Sequence, residues 1–329
     1  MRINSKQKLS KRLFSKKIAM AATRGGYGEA LVELGGKNEK IVVLSADLTE
    51  STRSKGFAEK FPERFVEVGV AEQNLAGLAA GMALAGYIPF MSSFAVFSPG
   101  RNWDQIRVSI CYTRANVKIA GSHAGISVGP DGATHQAMED IAITRVLPNL
   151  IVVVPADSIE TKKATMAIAE LEGPAYVRFG RPEVPVFTTK KSPFEIGVAN
   201  VLAAGTDVTI IACGPMVYTS LEAALELGKK HGVNAEVINC HTIKPLDVPA
   251  IAASAKKTGA VVAAEEHQIH GGLGSAVAEA LAEHAPVPMR FVGMPDSFGE
   301  SGESQELLEK YGMTKEKIVK SCLDVIKQK

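Results

Sequence analysis

The fold class predicted by this sequence is α/β, with two doubly wound sheet domains in succession. Three observations carry that expectation. Short, continuously apolar runs such as residues 40–46 alternate with longer segments of helical pattern, which implies parallel strands covered on both faces. The alternation breaks once, in Arg-Pro-Glu-Val-Pro-Val-Phe-Thr-Thr-Lys-Lys-Ser-Pro at 181–193, whose three prolines and lack of periodicity mark a linker, and then it restarts. A chain of 329 residues with 46% apolar content can also build two ordinary cores.

Taken in order, residues 1–17 form a basic arm containing Lys6, Lys8, Lys11, Arg12, Lys16 and Lys17. It is expected as a solvated terminus, with docking on another chain as the alternative. The first domain is expected over 18–182. It begins with a helix over 18–34 and a buried-type strand over 40–46, ending on Asp47 and a polar loop with Ser51. A short strand at 65–68 precedes the run Gly69-Val70-Ala71-Glu72-Gln73-Asn74, and a long segment of small and aliphatic residues follows with good helical tendency. A strand at 87–91 leading to Ser93-Phe94-Ala95-Val96-Phe97, a helix over 103–112 and a strand over 117–120 come next. The glycine-rich stretch 121–136 leads to a helix near 137–145 and a strand at 150–154. A helix opens at Asp157-Ser158-Ile159-Glu160 with capping-box spacing, and a strand at 176–179 closes this half. After the linker over 183–193, a smaller domain over 194–329 carries strands at 208–213, 235–239, 260–264 and 287–292. Its helices are expected at 217–231, 274–284 and from Thr314.

A net charge of +2 gives no basis for nucleic acid or an anionic membrane as the main partner. No secretory signal opens the chain and no stretch is long and apolar enough to span a bilayer. Cys111, Cys213, Cys240 and Cys322 stand far apart without metal-type spacing and read as buried, reduced thiols of a cytoplasmic protein.

Glu72 falls at the turn-to-helix junction of a segment apolar enough to be buried. A carboxylate there is favoured by the helix dipole, but away from water its charged form is costly, so it should seek a partner and its pKa should rise. The bland alternative is a helix N-terminal charge in solvent. Ligands of parallel sheets gather at the carboxyl ends of strands. The polar residues Asp47 and Ser51 follow one such end, Phe94 and Phe97 another, His123, Asp131 and His135 a third, and Arg178 and Arg181 a fourth. That mixture suits a polar, anionic small molecule, with Arg and Ser holding a phosphate by charge-assisted bonds. A lone His is commonly structural, and Asp131-Gly132 alone is a turn signal. Phe94 and Phe97 read first as core aromatics, with a flat wall for an aromatic ring as the functional alternative. Gly271-Gly272-Leu273-Gly274 lacks the full dinucleotide spacing, because Val277 stands at the third glycine position, and reads as a tight turn. No phosphate-binding Gly-Lys loop, nucleophile elbow or zinc-protease motif is present.

Read together, the segments resemble the C-terminal half of transketolase, over nearly the whole chain. The motifs are Ala-Thr-Arg at 22–24, Ser-Ala-Asp-Leu-Thr at 45–49, Gly-Val-Ala-Glu-Gln-Asn at 69–74 and Ser-Ser-Phe-Ala-Val-Phe at 92–97. To these are added His123 and Gly-Pro-Asp-Gly-Ala-Thr-His-Gln at 129–136. The resemblance implies thiamine diphosphate chemistry, with Glu72 bonding the aminopyrimidine N1′ and driving that ring to the imino form that removes the thiazolium proton. It implies Phe94 and Phe97 as the pyrimidine wall and His135 near the donor's hydroxyl and carbonyl groups. Asp131 would read the acceptor's C2 hydroxyl; Arg24, Ser51, His123 and Arg181 would be substrate-phosphate ligands; and Asp47 would lie near the thiazolium.

Two departures from the family pattern matter. The domain that grips the diphosphate, through a Gly-Asp-Gly motif, a downstream Asn and a divalent metal (Mg or Ca), has no counterpart in this sequence. Gly100 also stands where the family often has a third aromatic. The expectation is a split enzyme, with an N-terminal transketolase subunit holding the diphosphate and metal, two copies of each chain in the assembly, and no activity from this chain alone. The rival readings are the matching portion of 1-deoxy-xylulose-5-phosphate synthase, the β-subunit of a 2-oxoacid dehydrogenase, and a non-catalytic relative. The four phosphate-type matches argue against the second rival, and an intact Glu72 and His135 argue against the third.

Overall fold

The computed structural model describes residues 1–329. The chain opens on a two-residue strand, β1 (Arg2–Ile3), followed by β2 (Met20–Ala22). Helix α1 (Thr23–Lys37) leads to β3 (Ile41–Ser45), α2 (Lys55–Lys60) to β4 (Phe65–Glu67), and α3 (Glu72–Leu84) to β5 (Ile88–Phe94). A short α4 (Trp103–Gln105) runs on as a π-helical stretch, Ile106–Tyr112, before β6 (Lys118–Ser122). Helix α5 (Asp140–Arg145), β7 (Ile151–Val153), α6 (Ser158–Glu170) and β8 (Ala175–Arg178) complete the first half, and β9 (Glu183–Pro185) follows. The second half begins β10 (Asn200–Ala204), β11 (Val208–Ala212), α7 (Met216–Glu226), β12 (Ala235–Asn239) and β13 (Thr242–Lys244). It ends α8 (Val248–Thr258), β14 (Val261–Gln268), α9 (Leu273–His284), β15 (Met289–Met294), α10 (Ser304–Lys310) and α11 (Lys315–Ile326).

Two sheets organise these elements. The first has the order β13-β7-β8-β6-β5-β3-β4 and is parallel except at β13, which the second half lends antiparallel to β7. The second has the order β1-β10-β12-β11-β14-β15, parallel from β12 to β15 and antiparallel at β1 and β10. Strand β3 is buried along its whole length, as a strand covered on both faces must be. One hydrophobic cluster runs from Leu75, Met91 and Ile119 of the first half into Ile211, Ile238 and Leu273 of the second. The two domains therefore share a core, and a side chain from one can reach the site of the other.

Besides adding α2, β10, β13, α8 and α10, which the sequence reading did not place, the structure differs from that reading at three places. Residues 20–22 are not the start of a helix but β2, paired antiparallel with β9 in the register Ala21↔Val184. A strand partner from a distant segment overrides the helical tendency of the alanines. The same pairing takes Glu183–Pro185 out of the expected linker. The next residues are tied down as well, since Phe187 N and Thr188 N donate to Asp157 Oδ2 at 3.0 and 2.7 Å. The basic arm is not a free terminus, because it docks on its own chain. Its β1 extends the second sheet, Asn4 N donates to Leu202 O at 2.8 Å, and Leu13 is buried in the second core. The lysines and Arg12 face outward, so their charge hid an apolar, hydrogen-bonded underside. No helix is long and apolar enough to cross a membrane.

Candidate active site

Glu72 is the first residue of α3, entered from Ala71 with φ −144° and ψ 64°. The turn that presents it is built by Glu67 at the end of β4, whose carboxylate accepts from Gly69 N at 3.0 Å, Asp47 N at 2.6 Å and the Thr49 hydroxyl at 2.8 Å. Asn102 Nδ2 donates to the Glu72 carbonyl at 3.0 Å and fixes the same corner from the opposite side. The Glu72 side chain is 1% exposed, so it does not point into solvent, and its partner is Arg101, whose Nη1 donates to Oε2 at 2.6 Å. That guanidinium is 47% exposed and lies over the Phe97 ring, 4.7 Å from its centroid. Sequence reasoning missed Arg101. The usable signal was its position four residues after Phe97, with Arg101 N bonded to Phe97 O at 2.8 Å in one helical turn. The neighbouring Gly100 is a steric requirement, since a Cβ there would stand 2.0 Å from Val96 O, so a third aromatic cannot sit at that place in this backbone.

Phe94, at the end of β5, and Phe97 stack with centroids 6.1 Å apart and planes at 17°. They are neither isolated core residues nor an empty wall, because two histidines close on them. His123 stacks on Phe94 at 3.9 Å, and His135 meets Phe97 edge-on at 5.4 Å and Phe94 at 6.1 Å. His123 follows β6 in a left-handed conformation, φ 55°, with Nδ1 bonded to the Ser122 hydroxyl at 2.8 Å. Burial first, and then the nearby charges of Arg24 and Arg181, lower its pKa to about 3. His123 is therefore a neutral imidazole that can give one N–H and accept at the other nitrogen, not an additional cation.

A cationic rim surrounds this aromatic group. Arg24, in the first turn of α1, donates through Nη1 to Ser51 O at 2.9 Å. Its pKa is lowered by burial and by its neighbours Arg53 and Arg181. Its Nε is buried without a partner, an orphaned donor beside other guanidinium groups. Arg181 donates to Val128 O at 2.8 Å and lies 3.5 Å from Asp131 Oδ1. Arg53 is the further basic residue here that sequence reasoning passed over. Asp47 is exposed and left-handed, φ 58°, at the end of β3 beside the turn that leads to Glu72. Arg178 belongs elsewhere: it is buried, paired with Asp140 Oδ2 at 2.8 Å, and donates through Nη2 to the Glu266 carbonyl at 2.8 Å, so it braces the domain interface. The structure thus joins Phe94, Phe97, His123 and His135 through ring contacts, links Glu72 to them through Arg101, and sets Arg24, Ser51, Asp131 and Arg181 in two contacting pairs around them.

Comparison with known proteins identifies the family. Residues 19–186 match the family model "Transketolase, pyrimidine binding domain", and residues 197–318 match "Transketolase, C-terminal domain". The chain is 43% identical over 316 residues to the 6-deoxy-6-sulfo-D-fructose transketolase subunit SqwH of a Clostridium species, covering 96% of this chain and 98% of that protein. It is 40% identical over 310 residues to one of the subunits of the apulose-4-phosphate transketolase of Phocaeicola vulgatus, covering 94% of this chain and 99% of that one. A solved structure described as a split gene transketolase, inactive beta4 tetramer, superposes with a TM-score of 0.87 at 52% identity, over 93% of this chain and 98% of the other. This chain belongs to the transketolase family, and corresponds to its pyrimidine-binding and C-terminal domains.

Proposed function

We propose that this chain is the C-terminal subunit of a two-chain, thiamine-diphosphate-dependent enzyme that transfers a two-carbon ketol unit from a ketose phosphate, or a similarly anionic ketose, to an aldose phosphate. One observation carries the reading: an aromatic pair and two imidazoles form one wall, linked through Arg101 to a buried carboxylate, beside a rim of arginines with an unpartnered donor. The cofactor's aminopyrimidine fits the donor set, since it needs a flat ring against Phe94 and Phe97 and a shielded carboxylate at a ring nitrogen. Thiamine diphosphate, when bound, supplies the nucleophilic carbon that takes up the ketol unit.

In this reading Glu72 holds a proton shared with the pyrimidine ring nitrogen, and its burial keeps water from competing for it. Asp47 lies toward the thiazolium end. His135 orients the donor's hydroxyl and carbonyl groups. His123 gives a neutral N–H to the anionic end of the sugar, while Arg24, Ser51 and Arg181 hold that end by charge-assisted bonds. Asp131 accepts from the acceptor's C2 hydroxyl. The diphosphate and its divalent metal, Mg or Ca, are held mainly by the N-terminal partner chain, in an assembly with two copies of each. Two relatives named for a sulfonated and a phosphorylated sugar support an anionic substrate.

The test is ketol transfer from a ketose phosphate, measured with this chain alone, with a partner chain that binds thiamine diphosphate, and with both together. Activity only in the mixture is the expected result. Turnover of pyruvate in place of ketose phosphate would overturn the assignment in favour of a 2-oxoacid dehydrogenase.

A further inference from the structure

The segment between His123 and His135 is held by the second domain. Within it, Ile126–Asp131 forms a 3-10 turn interrupted by a kink at Gly129. Gly125, Gly129 and Gly132 all have positive φ, at 91°, 80° and 75°. Such a glycine-rich backbone has wide conformational freedom, and it does not fix its own shape. Its shape is set from outside. Glu266, near the end of β14 and buried, accepts from Ser127 N through Oε1 at 2.7 Å. Ser304, at the start of α10, donates to Ser127 O at 2.7 Å. Both backbone polar groups of one loop residue are thus taken by the second domain. Gln136 closes the other end, donating to Glu300 O at 2.9 Å and to Ile126 O at 3.2 Å.

The contact is specific as well as close. A Cβ at residue 125 would lie 2.2 Å from Glu266 Oε1, so only glycine admits the carboxylate to this position. Burial pushes the Glu266 carboxyl above its ordinary range, and its bond from Ser127 offsets this only in part. An apolar residue would fill the same space at lower cost, so the carboxylate costs stability that plain packing does not require. What it fixes is the path of the backbone to Val128 O, which accepts from Arg181, and to Asp131, which faces the same guanidinium.

We propose that Glu266, assisted by Ser304, is a positioning residue of the second domain that sets the substrate-facing loop 125–132 and through it the affinity for the acceptor sugar. The substrate assignment rests on the transketolase reading above; the anchoring of the loop does not. The loop carries Asp131 and backs Arg181, whereas Glu72 is set from β4 and the aromatic pair is met by His123 and His135, which lie outside residues 125–132. Loosening it therefore weakens substrate binding without disturbing cofactor uptake.

The experiment compares wild type, Glu266→Ala, Glu266→Gln and Ser304→Ala in the assembled two-chain enzyme, together with amide exchange of each chain alone. Glu266→Ala is expected to raise the KM for the aldose phosphate about tenfold while kcat and the Kd for thiamine diphosphate stay within about threefold, as for a misplaced contact away from the reacting atoms. Glu266→Gln keeps an oxygen for Ser127 N–H and should restore most of the affinity, and Ser304→Ala should give a smaller rise. Amide exchange at Ser127 should accelerate in Glu266→Ala and not in Glu266→Gln. An unchanged KM in a folded Glu266→Ala enzyme, or unaltered exchange at Ser127, would overturn the inference. If wild-type enzyme transfers no ketol unit, the functional reading fails, and exchange at Ser127 still decides the anchoring.

Discussion

The ion pair between Glu72 and Arg101 is the most consequential contact at the residue scale. Arg101 makes the two contacts expected of a pyrimidine, one to the Glu72 carboxylate and one over the Phe97 ring. A ring nitrogen that takes Oε2 of Glu72 must first open that pair. Arg101→Ala should accordingly tighten thiamine diphosphate binding to the assembled enzyme by about fivefold, the equivalent of a half-exposed ion pair worth about 1 kcal/mol, as read by calorimetric titration. Glu72→Gln removes the charge but keeps the shape. Its turnover should fall by about 10² or more with an unchanged melting temperature, and near-normal turnover would remove the assigned role. Arg181→Ala should act on binding, raising the KM for phosphorylated sugars about tenfold while leaving unphosphorylated ones nearly unaffected. An equal effect on both would count against an anion site.

At the scale of elements, the start of α6 shows how one helix terminus serves both domains. Asp157 caps the helix by accepting from Glu160 N at 2.9 Å, and its other oxygen accepts from Phe187 N and Thr188 N. Glu160 turns back to accept from Ala156 N at 2.7 Å and takes Asn239 Nδ2 of β12 at 2.7 Å. Burial, helped by the charge of Asp157, raises the Glu160 carboxyl from 4.5 to about 8. Between those two values the folded chain keeps a proton that the unfolded chain has released, so stability falls as pH rises through that window. Glu160→Gln, which carries no charge, should flatten that dependence. Urea midpoints compared at the two ends of the window would check it, and an unchanged slope would show that Glu160 does not titrate there.

For the whole molecule, the shared core and the borrowed strand β13 make the two domains one cooperative unit. The arm belongs to that unit. β1 pairs with β10, the Leu13 carbonyl accepts from the Tyr218 hydroxyl at 2.8 Å, and the Lys8 carbonyl accepts from the Thr189 hydroxyl at 2.7 Å. Removing residues 1–17 exposes a sheet edge and uncovers apolar surface. It should lower the melting temperature by several degrees in a calorimetric scan, whereas a solvated tail would leave it unchanged.

The sequence by itself determined the α/β class and the succession of two sheets, and it nominated Glu72, Phe94, Phe97, His123 and His135 for the candidate site. Those features are written in local periods and in short motifs such as Gly-Val-Ala-Glu-Gln-Asn at 69–74. Only the tertiary structure decided which charges are spent on the fold. Arg178 and Arg181 look alike in sequence, yet one is buried on Asp140 and the other lies at the rim beside Asp131. Glu266 and the docked arm were illegible for the same reason. Each acts on a partner brought near by sheet order, as Glu266 is to Ser127 across 139 positions, and no local pattern records a contact between segments so far apart in the chain.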